Sequence, residues 1–398
     1  MKKILFVINT MGRAGAEISF LNFLRKLEGK EYSIFLYVLM EQGEMIEEIP
    51  SYVQLLNPTF NLNSVLTKKG RKSLARMVLK AFFRNGECVA KLGHVIKNLF
   101  IMLKCGRIQV DKLFWWVAAK GALRFDEYFD LAVAWLEGGS AYYVAECVNA
   151  RKKIAFIHID YKKAGYTKSM DWNCWKHFER IFAVSEDAKE KFLAVYPEYK
   201  DRTSVFLNMV DQEYIRNKAK EAGGFLDDYD GIRILTVGRL TYQKGYDIAI
   251  EAMKLLKDSG YRVRWYVLGE GDQRNNLQKK IVALGLEKDF LLLGAVHNPY
   301  PYYAQADLYV HAVRYEGQGI AVWEAQALGC AVIVSEYCGS EEQIENGKYG
   351  VSCELTPTGI ADCIEKLLMD EKRRIDLGCA AAKKQVPEGQ EKLFFELL

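Results

Sequence analysis

The sequence predicts an α/β fold built from two doubly wound, Rossmann-like domains with parallel sheets. Three observations predict it. Short apolar, β-branched runs recur along most of the chain, with helix-patterned stretches between many of them. Such alternation is expected of a parallel sheet covered by helices on both faces. The rhythm breaks off and restarts at the acidic, glycine-bearing text EAGGFLDDYDG (221–231), which reads as a linker. A length of 398 residues also favours two domains over one.

The elements follow in order. KILFVI (3–8) reads as a first buried strand and AEISFLNFLRKL (16–27) as a helix. The two lysines before KILFVI resemble the start of a signal peptide, but Asn9 and Thr10 end the apolar run too early. SIFLYVL (33–39), DLAVAW (130–135), KIAFIH (153–158) and RIFAVS (180–185) are further strands. After the linker come RILTVG (233–238), RWYVLG (264–269), FLLLG (290–294), LYVHA (308–312) and AVIVS (331–335), each followed by a loop and a helical pattern. No uncharged apolar stretch reaches the roughly 18 residues that a membrane span needs.

Residues 64–124 break the rhythm. They hold 14 Lys/Arg against two acidic residues, in a chain whose net charge is only +4. On a helical wheel Lys69, Lys72, Arg76, Lys80 and Arg84 share one arc, opposite Leu74, Met77, Val78, Ala81 and Phe82. LFIML (99–103) and Trp115–Trp116 follow. A basic amphipathic helix with aromatics nearby predicts an anionic membrane surface as partner. An ordinary domain helix with a solvated face has the same pattern. Nucleic acid is not expected, because no nucleic-acid motif or stacking platform accompanies the charge. The nine cysteines include no C-x-x-C pair and no zinc-ligand spacing, so reduced thiols in a cytosolic protein are the expectation.

Strand ends of open α/β sheets are where ligands bind. In VGRLTYQKGYD, Gly238 and Arg239 end a strand, and Lys244 opens the next helix region. An Arg fork and a Lys point charge there can clamp a diphosphate. In GEGD, Gly269 and Gly271 permit close backbone approach. In YEGQGIAVWEA (315–325), Gly319 and Ile320 sit at the start of a helix, whose first turn offers free amides to an anion. Glu316 and Glu324 bracket that turn. Carboxylates beside a phosphate site make sense if they accept hydrogen bonds from sugar hydroxyls while Arg239 and Lys244 meet the phosphates. A solvated turn with two glutamates would read the same way.

Together the E-x7-E element, the GR…KG turn and ALGCAVIVSEYCGSEEQIENGKYGV resemble the retaining glycosyltransferases of family four. The loop MGRAGAE is similar to that family's glycine-rich loop, with Ala14 at a usual glycine. IAFIHID, FAVSEDAK and FLNMVD are similar too, with Met209 where proline is common. The resemblance spans nearly the whole chain and is weakest over 45–125. It implies the GT-B fold, in which two Rossmann-like domains face a central cleft. Residues 1–210 would form the acceptor domain and 211–375 the nucleotide-sugar domain. A helical segment, 376–398, would pack back on the first.

The resemblance further implies a nucleotide-diphosphate sugar as donor, UDP favoured, and no cofactor or metal. Arg239 and Lys244 would hold the diphosphate, Glu324 the ribose and Glu316 the donor sugar. The backbone at Gly15–Ala16 and Gly319–Ile320 would face phosphate or sugar, with Gly238 and Gly269 lining the site. His158 would contact the sugar near the reacting centre, and Glu137 is a candidate acceptor-side residue. Anomeric configuration would be retained, by front-face attack. The acceptor would be a saccharide, plausibly lipid-linked as in surface-polysaccharide assembly, met at the cytoplasmic face of the membrane. Gln318 stands where phenylalanine is frequent and HAVRYEG replaces a common P-S-x-x-E-G form, which leaves the sugar open. Two other classes compete. MGRAGAE lacks the G-x-G-x-x-G spacing of a dinucleotide-dependent oxidoreductase. A noncatalytic nucleotide-sugar sensor or scaffold would carry the same donor-binding residues.

Overall fold

The structure, a computed structural model, describes residues 1–65, 67–104, 110–386 and 389–398. Parts of two expected segments, residues 66 and 105–109 of 64–124 and residues 387–388 of 376–398, lie outside the described residues.

The apolar runs form two all-parallel sheets. The first contains β1 (Lys2–Ile8), β2 (Tyr32–Val38), β3 (Gln54–Leu55), β4 (Phe129–Ala134), β5 (Ala150–Ile157), β6 (Arg180–Ala183) and β7 (Thr203–Val205). Their order is β3-β2-β1-β4-β5-β6-β7. The second contains β8 (Ile232–Val237), β9 (Val263–Leu268), β10 (Phe290–Gly294), β11 (Leu308–His311), β12 (Ala331–Ser335) and β13 (Val351–Cys353), in the order β10-β9-β8-β11-β12-β13. Each order reverses once, between β1 and β4 and between β8 and β11. Those reversals are the topological switch points at which open α/β sheets bind ligands.

Helices fill the connections. The first stretch of chain carries α1 (Gly15–Leu27), α2 (Lys68–Phe83), α3 (Cys88–Lys104), α4 (Val110–Lys120), α5 (Gly139–Cys147) and α6 (Glu186–Leu193). Next come α7 (Gln212–Lys218), α8 (Tyr246–Asp258), α9 (Arg274–Ala283), α10 (Tyr300–Gln305) and α11 (Ile320–Ala327). The last are α12 (Ser340–Ile344), α13 (Pro357–Met369), α14 (Glu371–Lys383) and α15 (Gln390–Phe395). In the second sheet, period-two alternation sends Ile234, Trp265, Val310 and Ile333 into one buried core. Leu235, Tyr266, Tyr309 and Val332 enter another. This is why the strands read as continuous apolar runs.

The chain divides into Met1–Leu207 with Glu388–Leu398, and Asn208–Pro387. The first boundary falls within three residues of the expected 210. The second departs from the expected 376. α14 stays with the second unit because Leu377 enters its core. There, a Cβ on Gly378 would come within 2.2 Å of the Gly329 carbonyl. α15 joins the first unit: the Phe394 ring stacks 5.9 Å from Phe6 and meets Phe23 edge-on at 5.0 Å.

Within 64–124, α2 exposes Lys69, Lys72, Arg76 and Lys80 and buries Ala81, as its wheel predicts. α3 is reversed. It buries Lys91, His94 and Asn98 and leaves most of its large apolar side chains in solvent. The Lys91 ammonium explains part of this: it donates to the carbonyls of Ala81, Phe82, Arg84 and Gly86 at 2.6–3.2 Å, capping the end of α2. His94 stacks on Trp116 at 4.7 Å and lies 2.7 Å from the Asn98 amide nitrogen.

Candidate functional site

In the second unit the loops leaving β8, β9 and β11 meet at the switch point. Gly269 holds the β9 exit at φ 149°, and a Cβ there would sit 2.0 Å from the Gly238 carbonyl. No other residue fits this approach. The same carbonyl accepts from the Tyr246 hydroxyl at 2.8 Å, which ties the β8 exit to the first turn of α8. Gly245, at φ 61°, lies so close to the Ala312 carbonyl that a side chain would collide with it. The β8–α8 turn is thereby pressed onto the end of β11.

That packing brings Lys244 against Glu316. Their side chains form a largely buried ion pair, with Lys244 donating to Glu316 Oε2. His311, at the end of β11, places Nε2 3.7 Å from the same oxygen and Nδ1 3.1 Å from the Tyr309 hydroxyl. Burial alone would raise the Glu316 pKa. The Lys244 charge and the His311 contact outweigh it and hold the carboxyl at about 2. Burial lowers the His311 pKa, so its ring is neutral. Arg239 leaves β8 in the same turn, is half-buried, and its guanidinium has no partner among the described residues. Arg314 is held elsewhere, by both carboxylate oxygens of Asp247 at 2.7 and 2.8 Å and by the Tyr242 ring.

Gly238, Arg239, Lys244, Gly269 and Glu316 thus cluster as expected, but three roles need correction. Lys244 is not an open cation, because Glu316 occupies it, and Glu316 is correspondingly not open to a sugar until the pair exchanges. The Gly319 amide, expected to face an anion, donates to Gln343 Oε1 at 3.0 Å, while Gln343 Nε2 donates to the Gly319 carbonyl at 2.9 Å. Ile320 is the first residue of α11, where an amide has no intrahelical acceptor. Glu324 is buried, and its two oxygens accept from Tyr300 at 3.2 Å and Tyr303 at 3.0 Å.

Gly15, Ala16, Glu137 and His158 lie in the first unit, around its own switch point. Gly15 and Ala16 open α1, and the Ala16 carbonyl accepts from the Trp135 indole at 2.9 Å. Glu137 follows β4; its carboxylate accepts from the His158 amide at 2.9 Å, and burial raises its pKa. His158 follows β5. Burial lowers its pKa to about 3 against a hydrogen bond to the Trp135 backbone, so the ring is neutral. Its Nε2 has no partner among the described residues. No group of three or more His, Cys, Asp or Glu among the described residues could hold a metal ion.

The sequence reading missed His311 and Gln343. His311 had a signal, being the last residue of a strand that runs into the glutamate loop. Gln343 had none, since it acts from 24 residues beyond the glycine it holds.

Residues 219–384 match the family model described as glycosyl transferases group 1. A Campylobacter jejuni protein is 30% identical over 175 residues, covering 44% of this chain and 46% of its own. It is named N-acetylgalactosamine-N,N'-diacetylbacillosaminyl-diphospho-undecaprenol 4-alpha-N-acetylgalactosaminyltransferase. The Staphylococcus aureus capsular polysaccharide biosynthesis glycosyltransferase CapM is 27% identical over 227 residues, 55% of this chain and 60% of its own. The chain spans about half the length of the curated relatives it matches. Among solved structures, Anabaena HepE in complex with UDP-glucose superposes with a TM-score of 0.66 at 16% identity, over 96% of this chain and 94% of that one. Staphylococcus aureus TarM, bound to UDP and alpha-GlcNAc-glycerol, gives 0.68 at 14% identity over 100% and 99%. The fold is therefore that of the GT-B glycosyltransferases, and residues 219–384 are similar to group 1 glycosyl transferases.

Proposed function

We propose that this protein is a retaining glycosyltransferase of surface-polysaccharide biosynthesis. It takes a sugar from a nucleotide-diphosphate donor, UDP-linked by preference, and passes it to a lipid-linked saccharide at the cytoplasmic face of the membrane. The observation that carries the reading is the Lys244–Glu316 pair at the β8–β11 switch point, in the turn after β8 that also carries the partnerless Arg239. A diphosphate arriving there takes over the Lys244 ammonium and gains the Arg239 fork. The Glu316 carboxylate is then released to accept sugar hydroxyls. Glu324 is the residue this reading assigns to the ribose.

The transfer breaks the bond between the anomeric carbon and the phosphate oxygen and forms one to an acceptor oxygen. The acceptor proton passes to the departing diphosphate. His158, with a neutral ring whose buried Nε2 has no partner among the described residues, is the residue of the first unit that this reading assigns to the sugar. The diphospho-undecaprenol in the name of the Campylobacter relative supports a lipid-linked acceptor, and the UDP complexes of HepE and TarM support the base. Calorimetric titration of the full chain with a panel of nucleotide sugars tests the donor. One donor should bind, and Arg239→Ala should abolish that binding. If no donor binds a folded wild type, with or without anionic vesicles, the reading fails.

A further inference from the structure

α3 is turned inside out, and the inversion marks what it touches. At 100° per residue, Val89, Leu92, Ile96, Leu99, Phe100 and Leu103 fall within an arc of roughly 100°. All six are exposed, Val89 to 86% and Phe100 to 59%. Lys91, His94, Asn98 and Met102 lie across the helix from them and are buried, Lys91 fully. A water-facing helix would reverse this pattern. An apolar stripe this long exceeds the scattered exposed apolar residues normal for a soluble surface. α3 is also unable to cross a membrane, since no helix among the described residues is long and apolar enough.

We propose that α3 lies in the plane of an anionic lipid bilayer, with its apolar stripe inserted between the headgroups. The inference deepens the proposed function and rests on its lipid-linked acceptor. The charge around the stripe commits the surface to this occupant. Residues 64–104 carry ten Lys/Arg against one acidic residue, Glu87. Lys97 and Lys104 border one edge of the stripe, each over an aromatic ring: Lys97 5.1 Å from Trp172, Lys104 4.8 Å from Phe100. On α2, the exposed Leu79 and Phe83 share the arc of Lys72 and Arg76. Trp172 is half-exposed next to His94 and Trp116. Apolar side chains between bases, with an indole beside them, match the layered chemistry of a bilayer interface. The charge on α2 alone would give a loose electrostatic association; the α3 stripe adds burial that salt does not screen.

Co-sedimentation of the full chain with phosphatidylglycerol–phosphatidylethanolamine vesicles tests this, run with ultracentrifugation of the free protein and UDP titration. The wild type should partition to the vesicles and keep part of that binding in high salt. Ile96→Ser/Phe100→Ser should lower the partition by roughly tenfold or more, and Lys97→Glu/Lys104→Glu should lower it chiefly at low salt. UDP affinity should be unchanged in both variants. Equal partition of Ile96→Ser/Phe100→Ser and wild type overturns the inference. So does a wild-type dimer that does not bind vesicles and that the same variant splits, because a second copy is then the occupant. Lost vesicle binding with UDP binding intact counts against the anchor alone; absent UDP binding with vesicle binding intact counts against the transfer reading alone.

Discussion

Lys244 and Glu316 stand 72 positions apart in the chain and meet as a largely buried ion pair. The pair neutralises both groups until a ligand offers each a better partner. The two residues should therefore fail differently. Lys244→Met should weaken UDP binding about tenfold or more, through loss of a charge-assisted contact. Glu316→Gln should leave UDP binding within about threefold and cut turnover about a hundredfold. Calorimetry with UDP and initial rates with the full donor separate the two. Equal loss of binding in both variants would refute the exchange.

Acid should unfold the protein in a defined window. Folded His158 takes up a proton only near pH 3 and His94 near pH 4, whereas an unfolded imidazole does so near 6.5. Between those values the unfolded state binds more protons, so stability falls as the pH drops below about 6.5. Glu316 adds to this from about pH 4.3 downward, as the pH approaches its folded value of about 2. Each buried histidine sets a slope of up to about 1.4 kcal/mol per pH unit. Thermal melts from pH 7 to 4 should show the decline, and His158→Gln should flatten it.

The turn before α11 is tightly packed at Gly319. A Cβ there would lie 2.9 Å from the Tyr337 hydroxyl and 3.3 Å from His311 Nε2. Gly319→Ala should shift both neighbours and cost about 1–3 kcal/mol. Gln343→Ala should cost about as much, by leaving the Gly319 amide without its acceptor. Chemical denaturation measures both, and UDP affinity should fall with them. A Gly319→Ala protein as stable as wild type would contradict the packing described.

Asp171 should prove a structural centre of the first unit. It is fully buried and accepts from the hydroxyls of Tyr142 at 2.8 Å, Tyr161 at 2.5 Å and Tyr196 at 2.6 Å. Asp171→Ala leaves three buried hydroxyls without that acceptor and should cost more than about 3 kcal/mol. Asp171→Asn should cost less, since an amide oxygen still accepts. Calorimetric unfolding of the two variants checks the order.

Most of the fold was legible because both sheets are parallel and buried on both faces, which writes each long strand as an unbroken apolar run. β3, β7 and β13 were not legible: at two or three residues they make no pattern. The site was legible as residue types at strand ends, and Arg239, Lys244 and Glu316 do gather there. Their pairing was not, since nothing local tells Lys244 that Glu316 will reach it before a phosphate does. The α3 pattern shows two faces in the sequence, but which face packs inward depends on Lys91 finding the end of α2.

The position of Phe394 has a consequence for how the molecule is made. Its ring is buried against Phe6 and Phe23, in the core that β1 and α1 begin. All of residues 208–387 must be synthesised before Phe394 exists. The first unit therefore cannot complete its core while the second is still emerging from the ribosome. A nascent chain stalled before α15 should hold a complete second unit and an open seam in the first.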